Sequence, residues 1–205
     1  MDELLQKEIK TYLSQDERLE SIITNVELPT LQGDGDVYAA LIRSIVSQQL
    51  STKAAATIYN RFLNLFDNRY PDKDVIIAFS EEQLRSVGLS RQKANYIKNV
   101  AHFFLEIEKD RETDWATMTD EAIITYLTQI KGVGKWTVEM MLMFTLQRLD
   151  VLPLDDLAIR NRMIKLYDVQ ATGKQIKVEL TSIAESWRPY RSVACRYLWQ
   201  WTDKK

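Results

Sequence analysis

Helical periodicity runs with few interruptions along the chain, and it constrains the fold more than any other feature. Apolar residues recur every three or four positions in most segments, a spacing that places them on one face of an α-helix. In one such segment the stripe consists of Val37, Leu41, Ile45 and Gln49. Only six glycines and four prolines can interrupt helices, and no segment is β-rich. The sequence therefore predicts an all-α fold.

Capping signals place several helix starts. Ser51 precedes the apolar pattern that begins at residue 52, and Ser80 with Gln83 has the form of a capping box. A long helix is predicted over residues 89–109, and another over residues 134–148.

The helices are expected to form two lobes around a cleft, within a single compact unit that spans residues 1–205. The central lobe is expected to take about residues 37–130, and residues 1–36 and 131–205 are expected to complete the second lobe. No linker or low-complexity tract separates them.

Composition excludes several classes of protein. Hydrophobic residues make up 45% of the chain, which is enough for a core, but no apolar run has the length of a membrane span. A single cysteine, Cys195, argues against disulfides and an iron–sulfur cluster, and a single histidine, His102, argues against a zinc site or a Ser-His-Asp triad. No signal peptide is visible, so the protein is expected to be intracellular, cytoplasmic in a bacterium or nuclear in a eukaryote.

The charge of the chain is unevenly distributed. Its formal net charge is −2, but residues 1–30 hold seven acidic and three basic residues and so carry −4. The rest of the chain is therefore at +2, which permits a local basic surface but does not predict one.

A glycine turn interrupts the helical pattern at "IKGVGKW", residues 130–136. Gly132 and Gly134 lack Cβ atoms, so the main chain can be approached closely, and the amides at the start of the next helix favour an anion. A P-loop is excluded because its first glycine would fall on Gln129. A turn that needs glycine only for packing is the alternative. The apolar residues before it and Thr137 after it favour a hairpin that binds phosphates without reading sequence.

Two aspartates follow one helix later, in "VLPLDDLAIR". Asp155 and Asp156 come after Pro153, at the predicted start of a helix, so either one could be only an N-cap. The alternative is a carboxylate favoured by the helix N-terminus and available to stabilise positive charge or to orient water.

Taken together, these stretches resemble the helix-hairpin-helix DNA glycosylase superfamily, and most closely its alkylbase branch, the 3-methyladenine DNA glycosylase II type. The similarity covers about residues 37–201. It is carried by the hairpin and by "IVSQQLSTKAA", "VGLSRQKANYI", "DVLPLDDLAIR" and "WRPYRSVACRYLW".

The resemblance implies roles for individual residues. Asp156 matches the catalytic aspartate, and Gln49 matches the side chain that wedges into the duplex, although a polar helix end is the alternative for Gln49. The implied DNA-binding set is Gln49, Ser51, Lys53, Gly132, Val133, Gly134, Lys135 and Thr137. Backbone carbonyls of Thr128, Ile130 and Val133 match a site for a sodium or potassium ion, with a water-filled turn as the alternative. No other cofactor is implied.

The implied base pocket consists of Trp136, Trp199, Tyr190, Tyr38 and Met140. An indole face attracts a cationic alkylated purine, and packing in the core is the alternative for each of these aromatic residues. Relatives that also cut the strand have a lysine where this chain has Trp136, so the resemblance implies an enzyme without lyase activity.

The function implied is a monofunctional DNA glycosylase that flips alkylated bases out of damaged double-stranded DNA and hydrolyses the N-glycosidic bond. It is expected to be a monomer. The alternatives are a non-catalytic helix-hairpin-helix DNA-binding module and a glycosylase for other damaged bases.

Overall fold

The computed structural model describes residues 3–31, 33–110 and 114–202, without the side chains of residues 108–110. Within these ranges the chain is helical and contains no β-strand, so the predicted fold class is confirmed. The α-helices are α1 Glu3–Leu13, α2 Glu17–Ile23, α3 Val37–Ser47, α4 Thr52–Leu63, α5 Lys73–Ala78, α6 Glu81–Ser86, α7 Arg91–Asp110, α8 Asp120–Leu127, α9 Lys135–Phe144, α10 Leu157–Tyr167, α11 Gln175–Ala184 and α12 Arg191–Gln200. A 3₁₀ turn, Glu185–Trp187, precedes α12. None of the described helices is long and apolar enough to cross a bilayer.

The helices form two compact units. The terminal unit combines Met1–Gly33 with Leu142–Lys205, and the central unit is Asp34–Met141. The division falls inside α9, whereas the sequence placed a lobe boundary near residue 130.

The core of the central unit is built around α3 and α7. Helix α7 packs against α3, α5 and α6, and α3 also packs against α4. The side chains of Leu41, Ile42, Ile45 and Val46 are inaccessible to solvent. Leu41 and Ile45 belong to the stripe that the sequence predicted, and Val37 is buried as well, but α3 ends at Ser47 and does not reach Gln49.

The terminal unit is organised around α12, which packs against α2 and α10. Residues 192–198 of α12 are all buried. Asp16 ties the N-terminal part of this unit to the C-terminal part. One carboxylate oxygen caps α2, and the other accepts hydrogen bonds from the hydroxyl of Tyr167 (2.6 Å) and the indole of Trp187 (3.2 Å). Burial and the neighbouring carboxylate raise the pKa of Tyr167, so its hydroxyl remains a donor to Asp16.

The caps predicted at Ser51 and Ser80 are both present in the structure. Ser51 accepts a hydrogen bond from the amide of Ala54 at the start of α4. Ser80 and Gln83 form the complete capping box at the start of α6. The predicted extent of α9 is wrong, because the helix ends at Phe144 and not at residue 148. Gln147 adopts a positive φ of 54°, and the amide of Arg148 bonds to the carbonyl of Leu142, outside the α-helical pattern.

Candidate functional site

Asp156 is the N-cap of α10 in the terminal unit. Its Oδ1 accepts a hydrogen bond of 2.9 Å from the amide of Ile159 and one of 3.3 Å from the indole Nε1 of Trp199. The side chain is half-buried, and the start of a helix favours its negative charge. Asp156 is therefore the N-cap that the sequence raised as one alternative, and its carboxylate is oriented and partly accessible.

Trp199 holds the carboxylate from α12. Its half-buried indole also packs against Phe144, with the ring centroids 5.6 Å apart and the planes inclined by 33°. Asp156 and Trp199, which the sequence singled out from segments far apart in the chain, are thus brought together. Phe144, which is 38% exposed, was missed, because at the end of an apolar helix it is indistinguishable from a core residue.

Asp155 has a different environment. Its carboxylate forms an ion pair with the ammonium group of Lys177, and its side chain is 42% exposed. The two neighbouring carboxylates therefore differ in their surroundings, and Asp156 is the one beside the aromatic cluster.

The glycine hairpin lies in the central unit, between α8 and α9. Gly132 has a φ of 108°, and a Cβ added there would lie 2.2 Å from Cγ of Tyr96. At Gly134, by contrast, nothing lies within 4 Å of an added Cβ. Gly132 is thus required by the fold. Gly134 leaves the backbone open at the point where α9 begins and its first amides point outward.

Helix α9 carries four predicted site residues, three of them in its first turn. Lys135 forms an ion pair of 3.4 Å with Glu139, a carboxylate only 3% exposed. Trp136 is 40% exposed, whereas Thr137 is buried, which favours a packing role for the side chain of Thr137. Met140 is half-buried on the same helix.

Gln49 projects from a tight turn between α3 and α4. Gln48 has φ and ψ of −51° and 133°, Gln49 has a φ of 57°, and the amide of Leu50 donates to the carbonyl of Ser47. This is the pattern of a type II turn, in which the position of Gln49 normally belongs to glycine. An exposed glutamine held in this conformation is consistent with a functional demand on the side chain.

The turn is flanked by further predicted DNA-binding residues. Ser51 caps α4, and Lys53 lies exposed in the first turn of that helix. The side-chain amide Nε2 of Gln48 donates to the carbonyl of Gly132 at 3.5 Å, so the turn and the hairpin meet within the central unit.

The two predicted pocket tyrosines make packing contacts. Tyr38 is 4% exposed, donates a hydrogen bond to the carbonyl of Pro71 and packs against Phe104. Tyr190 packs edge-on against Tyr12 of α1, with the ring centroids 5.4 Å apart. These contacts favour the packing alternative for both residues.

The carbonyls predicted to hold a cation lie in the hairpin. The carbonyl of Ile130 accepts a hydrogen bond from the amide of Val133, and Thr128 caps the end of α8. A carbonyl oxygen has two lone pairs, so the bond to Val133 leaves Ile130 able to face an ion.

Comparison with known proteins identifies the family. A family model described as the HhH-GPD superfamily of base excision DNA repair proteins matches residues 42–189. DNA-3-methyladenine glycosylase 1 of Schizosaccharomyces pombe is 35% identical over 184 residues, which cover 89% of this chain and 80% of that protein. An alkylbase DNA glycosidase-like protein of the same organism is 34% identical and covers 80% of this chain and 76% of that protein.

Solved structures agree with the sequence matches. The S. pombe 3-methyladenine DNA glycosylase in complex with abasic DNA aligns with a TM-score of 0.78 at 34% identity, over 94% of this chain and 95% of that one. A DNA-3-methyladenine glycosidase from Bacillus halodurans aligns with a TM-score of 0.76 at 36% identity, over 94% and 88% of the two chains. The hairpin and Asp156 lie inside the stretch matched by the family model, and Trp199 lies beyond it.

Proposed function

Because this chain belongs to the HhH-GPD superfamily of base excision DNA repair proteins, we propose that it is a DNA glycosylase that removes alkylated bases from duplex DNA. Its substrates are bases of the 3-methyladenine and 7-methylguanine type. Two relatives more than 30% identical to this chain carry names that describe alkylbase chemistry. The structural observation that supports the proposal most is the hydrogen bond from the indole of Trp199 to the carboxylate of Asp156.

Asp156 supplies the charge that the reaction needs. As the N-glycosidic bond breaks, the base leaves with the bonding electron pair and the sugar develops oxocarbenium character. A carboxylate close to the sugar stabilises that positive charge and accepts a proton from the attacking water. The hydrogen bond from Trp199 and the cap on α10 hold the carboxylate in a fixed orientation. The products are a free base and an abasic site.

An alkylated purine is a good leaving group because it already carries a positive charge. It departs as a neutral base, so the reaction needs no strong general acid. Selection instead depends on how readily the lesion unstacks and how well it stacks on an indole, a cation–π interaction of about 0.5–2 kcal/mol. Trp199 is proposed to face the base beside Asp156.

The central unit is proposed to grip the DNA. The open backbone at Gly134 and the start of α9 receive phosphates, and Gln49 enters the duplex in place of the flipped nucleotide. Neither contact reads base sequence, which suits an enzyme that must find lesions anywhere in the genome.

Substitution of the carboxylate tests the proposal directly. Asparagine caps helices about as well as aspartate, so Asp156→Asn keeps the start of α10 while it removes the charge. We expect release of 3-methyladenine from methylated DNA to fall by at least about 100-fold, the scale of losing one transition-state electrostatic group. Thermal stability and DNA binding should be preserved.

The matched control is Asp155→Asn, which removes the neighbouring carboxylate and its exposed ion pair with Lys177. Its excision rate should stay near that of the unsubstituted protein. If Asp156→Asn leaves base release unchanged, Asp156 is not the catalytic carboxylate. If the unsubstituted protein binds DNA but releases no base, the chain is a DNA-binding module and not an enzyme.

A monovalent cation at the hairpin is a further part of the proposal. Carbonyls of Thr128, Ile130 and Val133 would hold the ion against a DNA phosphate. Replacing sodium and potassium with tetramethylammonium at constant ionic strength should weaken binding to duplex DNA, measured by fluorescence anisotropy. Equal affinity in both salts would contradict an ion-bridged contact.

A further inference from the structure

One helix of the central unit holds both loops that are proposed to meet DNA. Lys93, Tyr96 and Asn99 follow each other at intervals of three residues along α7. Lys93 contacts the turn that carries Gln49, whereas Tyr96 and Asn99 contact the glycine hairpin.

Lys93 acts as a clamp on the Gln49 turn. Its Nζ donates hydrogen bonds to the carbonyl of Val46 (2.8 Å) and to the carbonyl of Gln48 (2.6 Å). These carbonyls lie at the C-terminal end of α3, where a positive charge is favoured. Partial burial lowers the pKa of Lys93, consistent with an ammonium group that has exchanged water for carbonyl oxygens.

The clamp matters because the turn is conformationally unfavourable. Gln49 has a Cβ atom and yet adopts a φ of 57°, at a turn position normally occupied by glycine. Without a constraint, the backbone would be expected to relax and change the direction of the Gln49 side chain.

The same stretch of α7 fixes the hairpin. The Tyr96 ring lies against Gly132 so closely that a Cβ there would clash, and the Asn99 amide donates to the carbonyl of Lys131 at 3.0 Å. Since Gln48 also reaches the carbonyl of Gly132, the turn, the helix and the hairpin form a closed set of contacts.

We propose that Lys93 is a positioning residue, which sets the place at which Gln49 enters the duplex relative to the phosphates held by the hairpin. The inference rests on the proposed function, because Gln49 must act as a wedge. Lys93 acts by holding the backbone of the turn and not by contacting a DNA phosphate, since its ammonium group already donates hydrogen bonds to two carbonyls.

The chain provides a matched control on the same helix. Lys98 donates to the carbonyls of Ile77 and Phe79 and so caps α5 as Lys93 caps α3. Lys93→Met and Lys98→Met remove the same group from the same kind of contact. Both should lower the melting temperature by similar amounts, but only Lys93→Met should slow excision from duplex DNA, by about ten-fold or more. Lys93→Gln keeps a hydrogen-bond donor, so its excision rate should lie between those of the unsubstituted protein and Lys93→Met. This variant replaces Lys93→Met in the test if Lys93→Met folds poorly.

Two further measurements separate positioning from a direct DNA contact. In a Gln49→Ala background, Lys93→Met should cause no additional loss, because there is no side chain left to position. The dependence of binding on salt should keep its slope in Lys93→Met, whereas loss of a phosphate contact reduces the slope by about one. Additive losses, a reduced slope, or an equal loss of excision in Lys98→Met would overturn the inference.

Failure of the proposed function is recognisable separately. Fluorescence of 2-aminopurine beside a lesion reports unstacking without any base release. If the unsubstituted protein unstacks the site but releases no base, the enzymatic proposal fails while the effect of Lys93→Met on unstacking still decides the role of Lys93.

Discussion

At the scale of single residues, the carboxylate of Asp156 has two tasks. It caps α10 through the amide of Ile159, and the same oxygen accepts the indole N–H of Trp199. An N-cap contributes roughly 1 kcal/mol to stability, so the residue is required by the fold as well as by the proposed chemistry. Only a substitution that keeps the cap, such as asparagine, can separate the two tasks.

Trp136 carries a prediction at the same scale. A glycosylase that cuts the strand needs an uncharged amine to form a Schiff base with the sugar, and position 136 is an indole. The neighbouring Lys135 is paired with Glu139. We therefore expect no covalent adduct when the protein is treated with borohydride on DNA that contains alkylated bases.

The trapping measurement is an electrophoretic shift on a denaturing gel, with a bifunctional glycosylase on its own substrate as the positive control. A trapped adduct that disappears in Lys135→Met would show that Lys135 acts as the amine. The enzyme would then be a glycosylase-lyase.

At the scale of elements, the glycine hairpin divides its two tasks between its two glycines. Gly132 has the backbone conformation and the close contact with Tyr96 that only glycine tolerates, whereas Gly134 has open space around it. The first is needed for folding and the second for access to the main chain.

The two alanine substitutions should therefore have different effects. Gly132→Ala should destabilise the protein by about 2–4 kcal/mol, through the left-handed backbone and the clash with Tyr96. Gly134→Ala should leave the melting temperature nearly unchanged but weaken DNA binding, because a methyl group stands where a phosphate approaches. Thermal melting and anisotropy titrations on both variants provide the comparison, and loss of stability without loss of binding in Gly134→Ala would refute this assignment.

The sequence predicted elements better than their ends. The stripe from Val37 to Ile45 and the capping box at Ser80 depend on local spacing, and both are present in the structure. The ends of α3 and α9 were missed because each is followed by a glutamine with positive φ, Gln49 or Gln147, a conformation that local propensity does not favour.

Prediction of the candidate site was likewise limited to residues that carry a local sequence signal. Asp156 and Gln49 were identifiable because they fall within motifs that resemble a known family. Phe144 and the clamp formed by Lys93 carry no local signal, since their roles arise from contacts with residues far away in the chain.

At the scale of the whole molecule, affinity for DNA must be local. The chain carries a formal charge of −2, with acidic residues concentrated in the first thirty positions. Two compact units share the proposed tasks, the carboxylate in the terminal unit and the grip on DNA in the central unit.

Binding to undamaged duplex should accordingly depend weakly on salt. If the hairpin and the start of α4 neutralise about two to four phosphates, the plot of log K against log salt has a slope of about −2 to −4. Fluorescence anisotropy over a range of salt concentrations measures it. A slope steeper than about −6 would instead require an extended basic surface.

The cap formed by Asp156 has an evolutionary consequence. Codons for aspartate and asparagine differ by one base, and under the proposed mechanism that change would remove the chemistry while sparing the architecture. The resulting polypeptide would still settle on lesions and cover them, shielding damage from other repair enzymes. Under the same proposal, a homologue with asparagine at this position would bind damaged DNA without releasing the base.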